Sequence, residues 1–356
     1  MKQAARDCGF ALAGLARAEP LPPEPLMRWL AAGYAADLTW MAETAAARLD
    51  PSRVQPGIRA VLALAIPYHR PADEVSSLAR YARGRDYHYT HRDRLKRLRK
   101  RLLQLDPGLW SYACVDTGHV MERPWAVRAG LGWVGKNGCL INPELGSWLT
   151  LSVMFLNRDV DAYDTPGEDL CGSCDRCLKA CPTEAFPEPR VVDARKCIAY
   201  HSIENRGAVP RDVRPGFRAG AFGCDICQEV CPYNRRPVPS LQDPAGAARP
   251  LSAWPLEALA TLSREDWERL SPGTALPRIG YVGLRRNAVL ALGAARKTAA
   301  RTLLEALRHD PEPQVAEAAD WALARLLQRT ETLRAATESA EAASASPPRR
   351  PPGQGR

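Results

Sequence analysis

The cysteines of this chain are concentrated in one segment, at spacings that suit iron–sulfur chemistry. Eight of the 11 cysteines fall between residues 171 and 231. The first run has the form Cys-x2-Cys-x2-Cys-x3-Cys-Pro. In this pattern a tight loop presents three thiolates to one cubane, and the fourth cysteine ligates the other cluster of a two-cluster protein. The run, which predicts a [4Fe–4S] cluster, comprises Cys171, Cys174, Cys177 and Cys181.

A second run has the same ending, but its first cysteine is displaced upstream by an insertion. It comprises Cys197, Cys224, Cys227 and Cys231. Because the last cysteine of a run serves the other cluster, we expect cluster one to use Cys171, Cys174, Cys177 and Cys231. By the same rule, we expect cluster two to use Cys181, Cys197, Cys224 and Cys227. Structural zinc also uses sets of four cysteines and is the alternative. The other three cysteines lie in apolar surroundings and are expected to be buried thiols with no redox role; they are Cys8, Cys114 and Cys139.

Two other motifs suggest nucleotide or cobalt binding, and their surroundings argue against both. Residues 130–137 fit GxGxxG and nearly fit a phosphate-binding loop. Such loops need a strand before and a helix after, whereas here a helical stretch precedes and a strand follows. Residues 86–91 begin like Asp-x-His-x-x-Gly, the signature of cobalamin proteins whose histidine binds cobalt. His91 replaces the glycine, so we expect His88 to be a hydrogen-bonding or surface residue.

The overall composition is that of a soluble globular protein. The chain has 356 residues, of which 46% are apolar and 25% charged. No apolar run approaches the roughly 18 residues of a membrane-spanning helix, and the N-terminus lacks a secretory signal. We therefore expect a cytoplasmic protein without a membrane partner, in a compartment that keeps thiols reduced. The net charge of +9 supports an anionic partner.

The elements that must position the cysteines suggest an α+β protein of three domains and a tail. Residues 1–163 are expected to form an α/β domain, with four strands near 10–16, 61–66, 111–115 and 148–156. Residues 164–236 hold the cysteines in a segment rich in proline and glycine. Residues 250–330 are predicted to be helical, and residues 337–356 to be a disordered tail.

The helical domain contains a weak internal repeat. Residues 284–292 match residues 315–323 at an offset of 31. Paired helices with such a repeat suggest a small α-solenoid of HEAT type. A basic helix face at 92–101 lies outside this domain and is a candidate for binding nucleic acid, although such a face is often merely solvated.

Seven segments of the chain, in this order, resemble the epoxyqueuosine reductase family. They are residues 81–88, 115–118, 128–137, 171–183, 197–204, 223–232 and 284–292. The resemblance runs from the N-terminus to about residue 330. It implies reduction of the epoxide of epoxyqueuosine, at the tRNA wobble position, to the alkene. It also implies cobalamin with its lower base displaced from cobalt, two [4Fe–4S] clusters fed by a low-potential electron donor, a nitroreductase-like core, and HEAT-like repeats.

The resemblance assigns roles to individual residues. The acid of the Val-Asp-Thr-Gly segment, Asp116, would donate the proton that the opened epoxide needs. A carboxyl with an ordinary pKa is ionised at neutral pH, so the pKa of Asp116 must be raised by burial, or the group must be reprotonated at each turnover. Residues expected near cobalamin are Arg48, Asp116, Lys136, Asn137, Leu140, Ser202 and Asp225. Arg285 and Arg286 are candidates for tRNA binding, and a monomer is expected.

Two alternatives from the sequence remain open. The first is another corrinoid iron–sulfur reductase, such as a reductive dehalogenase, which would act on a small organic substrate. The second is a non-catalytic electron carrier, a ferredoxin with additional domains. Neither alternative gives a reason for a basic helical domain or for an α/β domain of this size before the clusters.

Overall fold

A computed structural model of the chain describes residues 1–70, 76–241 and 253–327. Its strands are β1 (Leu12–Arg17), β2 (Ala60–Pro67), β3 (Ser111–Cys114), β4 (Trp133–Val134), β5 (Leu140–Ile141) and β6 (Leu149–Leu156). Its helices before residue 240 are Lys2–Asp7, Glu24–Ala31, Trp40–Glu43, Ala45–Leu49, Tyr87–Leu105, Glu122–Arg128, Arg176–Ala180, Ile198–Ile203 and Ile226–Glu229. Those after it are Leu256–Ala260, Arg264–Leu270, Gly280–Ala294, Arg301–Leu307 and a helix over 313–327. The predicted tail and both ends of the predicted helical domain lie outside the described residues.

The N-terminal part is built on a four-stranded sheet with the order β1-β2-β6-β3, in which every neighbouring pair is antiparallel. All eight residues of the central strand β2 are buried, because helices cover both faces of the sheet. On one face, Leu62 and Leu64 pack with Leu98 and Leu102 of the helix Tyr87–Leu105. On the other face, the helix Glu122–Arg128 supplies Trp125 and Ala126. The four strands predicted from the sequence are confirmed.

The helix Tyr87–Leu105 connects the sheet to the candidate site. Its N-cap is Asp86, whose side chain accepts the His88 backbone N–H at 2.9 Å and so satisfies one of the free donors of the first turn. This start puts the Tyr87 and His88 side chains in the first turn, next to the loop that follows β3.

The GxGxxG segment forms a β-hairpin, which agrees with the sequence argument against a phosphate-binding loop. β4 and β5 pair antiparallel, with Trp133 opposite Ile141, and no helix follows the glycines. Gly132 has φ +148, and a Cβ there would lie 2.0 Å from the Ile141 carbonyl oxygen. The glycine is therefore needed for the close approach of two backbone segments.

The second half of the cysteine segment shares one hydrophobic core with the helical part. Val213 and Phe217 are buried together with Leu284 and Leu290 of the helix Gly280–Ala294. Both copies of the weak repeat, 284–292 and 315–323, lie within helices. The predicted boundary near residues 236–250 therefore separates the cysteine segment from the helices, although the two share a common hydrophobic core. Within the described residues, no helix combines the length and the apolar character that a membrane crossing needs.

Candidate active site

The thiols predicted for cluster one lie near one another at the start and end of the cysteine segment. Burial raises the pKa of Cys177 to about 11, and the neighbouring Cys171 and Cys231 thiols add to this. Burial also raises the pKa of Cys231, with Cys171 and Cys174 as its nearest thiol neighbours. The short helix Arg176–Ala180 then carries the chain away to Cys181, as the ferredoxin spacing requires.

The thiols predicted for cluster two form a separate group. Burial raises the pKa of Cys224 to about 12, and Cys197 and Cys181 contribute to the shift. The pKa of Cys227 is raised by a hydrogen bond with Cys139, by burial and by the thiols of Cys224 and Cys197. Cys139 thus lies against a predicted ligand, and its expected apolar surroundings are wrong in this respect.

These two groups suit iron–sulfur cubanes in the chemistry of their donors, since each offers four cysteine sulfurs and no competing histidine. Among the residues that the structure describes, no three Cys, His, Asp or Glu side chains converge as they would around one metal ion. A cubane separates its thiolates by its own iron and sulfide atoms. Because burial disfavours the free thiolates, iron binding is what would hold these sulfurs ionised.

Two groups on the β4–β5 hairpin contact the cluster-one loop. The indole Nε1–H of Trp133 donates to Cys171 Sγ at 3.3 Å, and the Trp133 ring packs edge-on against Tyr233 with 5.0 Å between centroids. Lys136 Nζ donates to the Gly172 carbonyl at 2.7 Å. One of the three ammonium protons of Lys136 is used in this contact, so the side chain keeps donors for a polar ligand.

Asp116 lies in the loop directly after β3, with a left-handed backbone at φ +55. Aspartate is one of the few residues that tolerate this conformation. The Asp116 backbone N–H donates to Glu122 Oε1 at 2.7 Å, and Glu122 is a buried carboxyl whose pKa is raised by that burial. The Asp116 side chain is 65% exposed, so its carboxylate is accessible from solvent.

His88 approaches the Asp116 carboxylate from the helix Tyr87–Leu105. Its Nε2 lies 3.5 Å from Asp116 Oδ2, and its Nδ1 lies 2.7 Å from Asp86 Oδ1. Hydrogen bonding to His88 lowers the pKa of Asp116, and this outweighs the opposing effect of burial. Burial alone would lower the pKa of His88, but the Asp116 and Asp86 carboxylates raise it to about 9. The pair therefore rests as an imidazolium facing a carboxylate.

Arg48, expected near cobalamin, lies beneath the Asp116 loop. Its Nη1 donates to the Val120 carbonyl at 3.2 Å, and its Nε donates to Thr44 Oγ1 at 2.8 Å. Only 9% of the residue is exposed. Burial lowers the pKa of Arg48, while the Glu122 and Asp116 carboxylates oppose that shift. In this structure Arg48 thus supports the loop that carries the candidate acid.

Asn137 and Asp225, also expected near cobalamin, lie beside the cluster-two cysteines and still have polar atoms that can bind a ligand. Asn137 Oδ1 accepts the Cys139 N–H at 3.1 Å, and Asn137 Nδ2 makes only a long 3.4 Å contact to the Cys227 carbonyl. Asp225 Oδ2 accepts from the Arg80 backbone N–H at 2.8 Å and from Arg80 Nη1 at 3.2 Å. Asn137, Asp225 and Lys136 thus retain hydrogen-bonding capacity that suits the amide-bearing edge of a corrin.

Leu140 and Ser202 have no polar group left for a ligand. Leu140 is a buried apolar residue of β5. The Ser202 hydroxyl donates to the Ile198 carbonyl at 2.7 Å and accepts the Gly223 N–H at 3.0 Å. Because Gly223 precedes Cys224, the buried Ser202 positions the cluster-two loop. The structure therefore places Ser202 in the support of the cysteine ligands.

Arg285 and Arg286, expected to bind tRNA, lie in the interior. They are 6% and 2% exposed. Arg285 pairs with the buried Asp310 and donates to the Ala260 carbonyl at 3.0 Å. Arg286 donates to the His201 carbonyl in the helix Ile198–Ile203 and to the Asn205 and Gly207 carbonyls in the loop that follows it. Both residues thus form internal hydrogen bonds that hold neighbouring segments together, and their donors do not face solvent.

Two family models match the chain, and the matches cover the acid loop and the cysteines. Residues 170–234 match the model described as a 4Fe-4S double cluster binding domain. Residues 48–117, which end just after Asp116, match the model described as Epoxyqueuosine reductase QueG. The epoxyqueuosine reductase of Gloeobacter violaceus is 44% identical over 307 residues, which span 83% of this chain and 95% of the relative. The chain belongs to the epoxyqueuosine reductase family.

Further members agree with this assignment along most of their length. The epoxyqueuosine reductase of Escherichia coli is 35% identical over 92% of this chain and 89% of its own. A crystal structure of an epoxyqueuosine reductase with an epoxyqueuosine-modified tRNA-Tyr stem loop superposes with a TM-score of 0.81 at 28% identity, covering 91% and 88% of the two chains. A Bacillus subtilis epoxyqueuosine reductase, whose aspartate-bearing catalytic loop is swung out of the active site, gives a TM-score of 0.81 at 27% identity. That structure covers 91% of this chain and 88% of its own.

Several residues of this family member were missed as site residues from the sequence. His88 was expected to be only a hydrogen-bonding or surface residue, although it lies two residues after the N-cap Asp86, which fixes its place in the first turn. Trp133 was treated only as part of a glycine-rich turn. Arg80, which holds Asp225, lies far from it in sequence, and no local pattern links the two residues.

Proposed function

We propose that this chain reduces the epoxide of epoxyqueuosine in tRNA to the alkene, giving queuosine. One observation carries the proposal beyond family membership: the partly buried Tyr81 lies between the candidate acid and the predicted iron-binding thiols. Its ring packs edge-on against Tyr87 with 6.0 Å between centroids, next to His88, which faces Asp116. It also packs against Phe222, two residues before Cys224, with 6.1 Å between centroids. Tyr81 thus connects the helix that carries His88 with the loop that carries Cys224.

The proposed reaction consumes two electrons and two protons, and releases the epoxide oxygen as water. When bound, two [4Fe–4S] clusters and cobalamin supply the electrons, because clusters pass single electrons and cobalt accumulates them to Co(I). We assign the cluster-one ligands to Cys171, Cys174, Cys177 and Cys231, and the cluster-two ligands to Cys181, Cys197, Cys224 and Cys227. Asp116 is the proton donor. Its exposed carboxylate is accessible to the oxygen released from the ring.

Lys136 beside the cluster-one loop, and Asn137 and Asp225 beside the cluster-two cysteines, would hold the polar edge of cobalamin, since each keeps hydrogen-bonding capacity. His88 is not available as a cobalt ligand, because both of its ring nitrogens face carboxylates. This fits a cobalt without a histidine ligand. We further infer that the sheet domain is nitroreductase-like and that the helical part is HEAT-like, supported by the antiparallel sheet and the paired helices. A cytoplasmic monomer served by a low-potential electron donor is the corresponding expectation.

We propose that tRNA approaches along the helix that carries His88. Its exposed face bears a row of cations at one-turn spacing, Arg92, Lys96, Arg99 and Lys100. None of the four forms an ion pair with a residue that the structure describes. The row starts beside Tyr89, which is 37% exposed and lies under the Arg92 guanidinium at 5.0 Å. Phosphates are the natural partners of such a row, and an exposed aromatic ring suits an unstacked loop base.

The experiment that tests this function separates it from both alternatives. Anaerobically isolated protein, loaded with iron, sulfide and cobalamin, is incubated with a strong chemical reductant and epoxyqueuosine-containing tRNA. The expected result is conversion of the nucleoside to one that has lost a single oxygen atom. An electron carrier would give no conversion, and a dehalogenase-like enzyme would instead release halide from a halogenated phenol.

A further inference from the structure

The proton supply of Asp116 is not explained by Asp116 itself. The reaction proposed above consumes two protons for each epoxide, and a carboxyl group carries one. The pKa of Asp116 is also lowered by its neighbours, so its resting form is the carboxylate. An acid of this kind acts only if another group refills it within the catalytic cycle.

His88 is held in the geometry that refilling requires. A carboxylate oxygen can only accept, so the 2.7 Å contact to Asp86 fixes a proton on His88 Nδ1. The other ring nitrogen, Nε2, is buried without a hydrogen bond of normal length, and its nearest acceptor is Asp116 Oδ2 at 3.5 Å. The ring is stacked on Tyr87 with 4.2 Å between centroids. The imidazole is therefore held by Asp86 through Nδ1, and its Nε2 points toward Asp116.

We propose that His88 relays protons to Asp116, so that one carboxyl group delivers both protons of the reaction. His88 first passes its Nε2 proton to the Asp116 carboxylate: the N–H bond breaks as the O–H bond on Oδ2 forms, and Asp116 gives that proton to the epoxide oxygen. Neutral His88 then takes a proton from solvent at Nε2, while Asp86 keeps the Nδ1 proton in place. A second transfer through Asp116 delivers the second proton, and the oxygen leaves as water. This inference rests on the proposed function.

The charges that face this pair favour a proton on His88 and not on Asp116. The surrounding ionisable groups are Asp86, Tyr87, His91, Glu122, Arg48 and Arg278. Burial lowers the pKa of His91 to about 3, so this neighbour is neutral. The helix N-terminus disfavours a cation in the first turn, and the two carboxylates flanking the ring oppose that effect. Their balance leaves His88 protonated at neutral pH, with a pKa of about 9.

The kinetic test uses the loaded enzyme and His88→Gln, which keeps a hydrogen-bonding side chain but cannot carry a titratable proton. Single-turnover rates are measured against pH, with the exposed His309→Gln as the matched control. We expect the wild-type rate to hold until the pH approaches 9 and then to fall. The His88→Gln rate should be lower by about 10²-fold and should fall through the neutral range. Added imidazole should restore turnover in His88→Ala. A His88→Gln enzyme with the wild-type rate and pH profile would overturn the relay.

A second measurement does not depend on turnover. In protein labelled with ¹⁵N at histidine, the His88 ring resonances are identified by their loss in His88→Gln. Both ring nitrogens should show as protonated at pH 7, and Asp116→Asn should lower the midpoint of their titration. A neutral His88 at pH 7 would refute the relay even if tRNA is converted. Failure of the wild-type protein to convert tRNA would instead count against the proposed function, and the nitrogen spectra would still decide where the proton resides.

Discussion

The indole N–H of Trp133 donates to the Sγ of Cys171 at 3.3 Å. Hydrogen bonds to the sulfurs stabilise the reduced, more negative form of a cluster and so help to set its potential. Removing the donor in Trp133→Phe keeps an aromatic ring against Tyr233. We expect the cluster-one potential to fall by about 40 mV, which is one hydrogen bond of about 1 kcal/mol on a one-electron couple.

The measurement is a redox titration of the reconstituted protein followed by electron paramagnetic resonance. Trp110→Phe, a partly exposed tryptophan at the start of β3, is the matched control and should leave both potentials unchanged. An unchanged cluster-one signal and potential in Trp133→Phe would show that this contact does not act on the cluster.

Asp116→Asn removes the candidate acid but keeps the size of the side chain. We expect single-turnover reduction of the epoxide to fall by about 10²-fold or more, the usual contribution of a positioned acid. Affinity for tRNA should change little, because the Asp116 carboxylate is an anion and makes no attractive contact with phosphate. The rate is measured by nucleoside analysis, and affinity by filter binding. Full turnover in this variant would exclude Asp116 as the proton donor.

The row of cations on the helix Tyr87–Leu105 predicts a salt-dependent contact with tRNA. The double variant Lys96→Gln/Arg99→Gln should weaken binding and lower the slope of log affinity against log salt by about 2, or roughly one unit for each lost phosphate contact. The rate at saturating tRNA should stay the same. The matched control, Arg53→Gln/Arg59→Gln, removes two exposed charges that lie outside this helix. Equal slopes in the two double variants would reject this surface.

Arg286 predicts a loss of stability rather than a loss of tRNA affinity. Its guanidinium donates to three carbonyls of the helix Ile198–Ile203 and the loop after it, and burial lowers its pKa to about 10, which leaves it charged at neutral pH. Arg286→Met strands those carbonyls, at a cost of about 3 kcal/mol. Thermal unfolding of the reconstituted protein should show a clear decrease in Tm, whereas exposed Arg301→Met should not. A normal Tm with a reduced salt slope for tRNA would make Arg286 a phosphate contact.

Local sequence patterns were sufficient to predict the main strands and helices and to identify the cysteine runs. β2 is a continuous apolar run because both of its faces are covered, and the Leu95, Leu98 and Leu102 spacing places one helix face in the core. The cysteine spacing indicated two sets of four ligands, and this division stays a prediction. These features depend on residues that are close together in the chain.

The parts that could not be predicted depend on contacts between distant residues. An Arg-Arg pair on a helix gives no local sign that Asp310 and the carbonyls near Asn205 will bury it. In the same way, nothing near Asp116 indicates that His88, on another element, lowers its pKa. The sequence analysis left burial or reprotonation open for this acid, and the lowered pKa favours reprotonation.

The most direct measurement of the whole account is the electron balance of one turnover. Loaded protein is reduced, freed of excess reductant and mixed with epoxyqueuosine tRNA, while the reduced-cluster signal and the nucleosides are followed together. Our account predicts that queuosine forms without further reductant, as the cluster signal is lost, at two electrons for each epoxide. A cluster signal that persists while the nucleoside is unchanged, or conversion by protein without clusters, would contradict it.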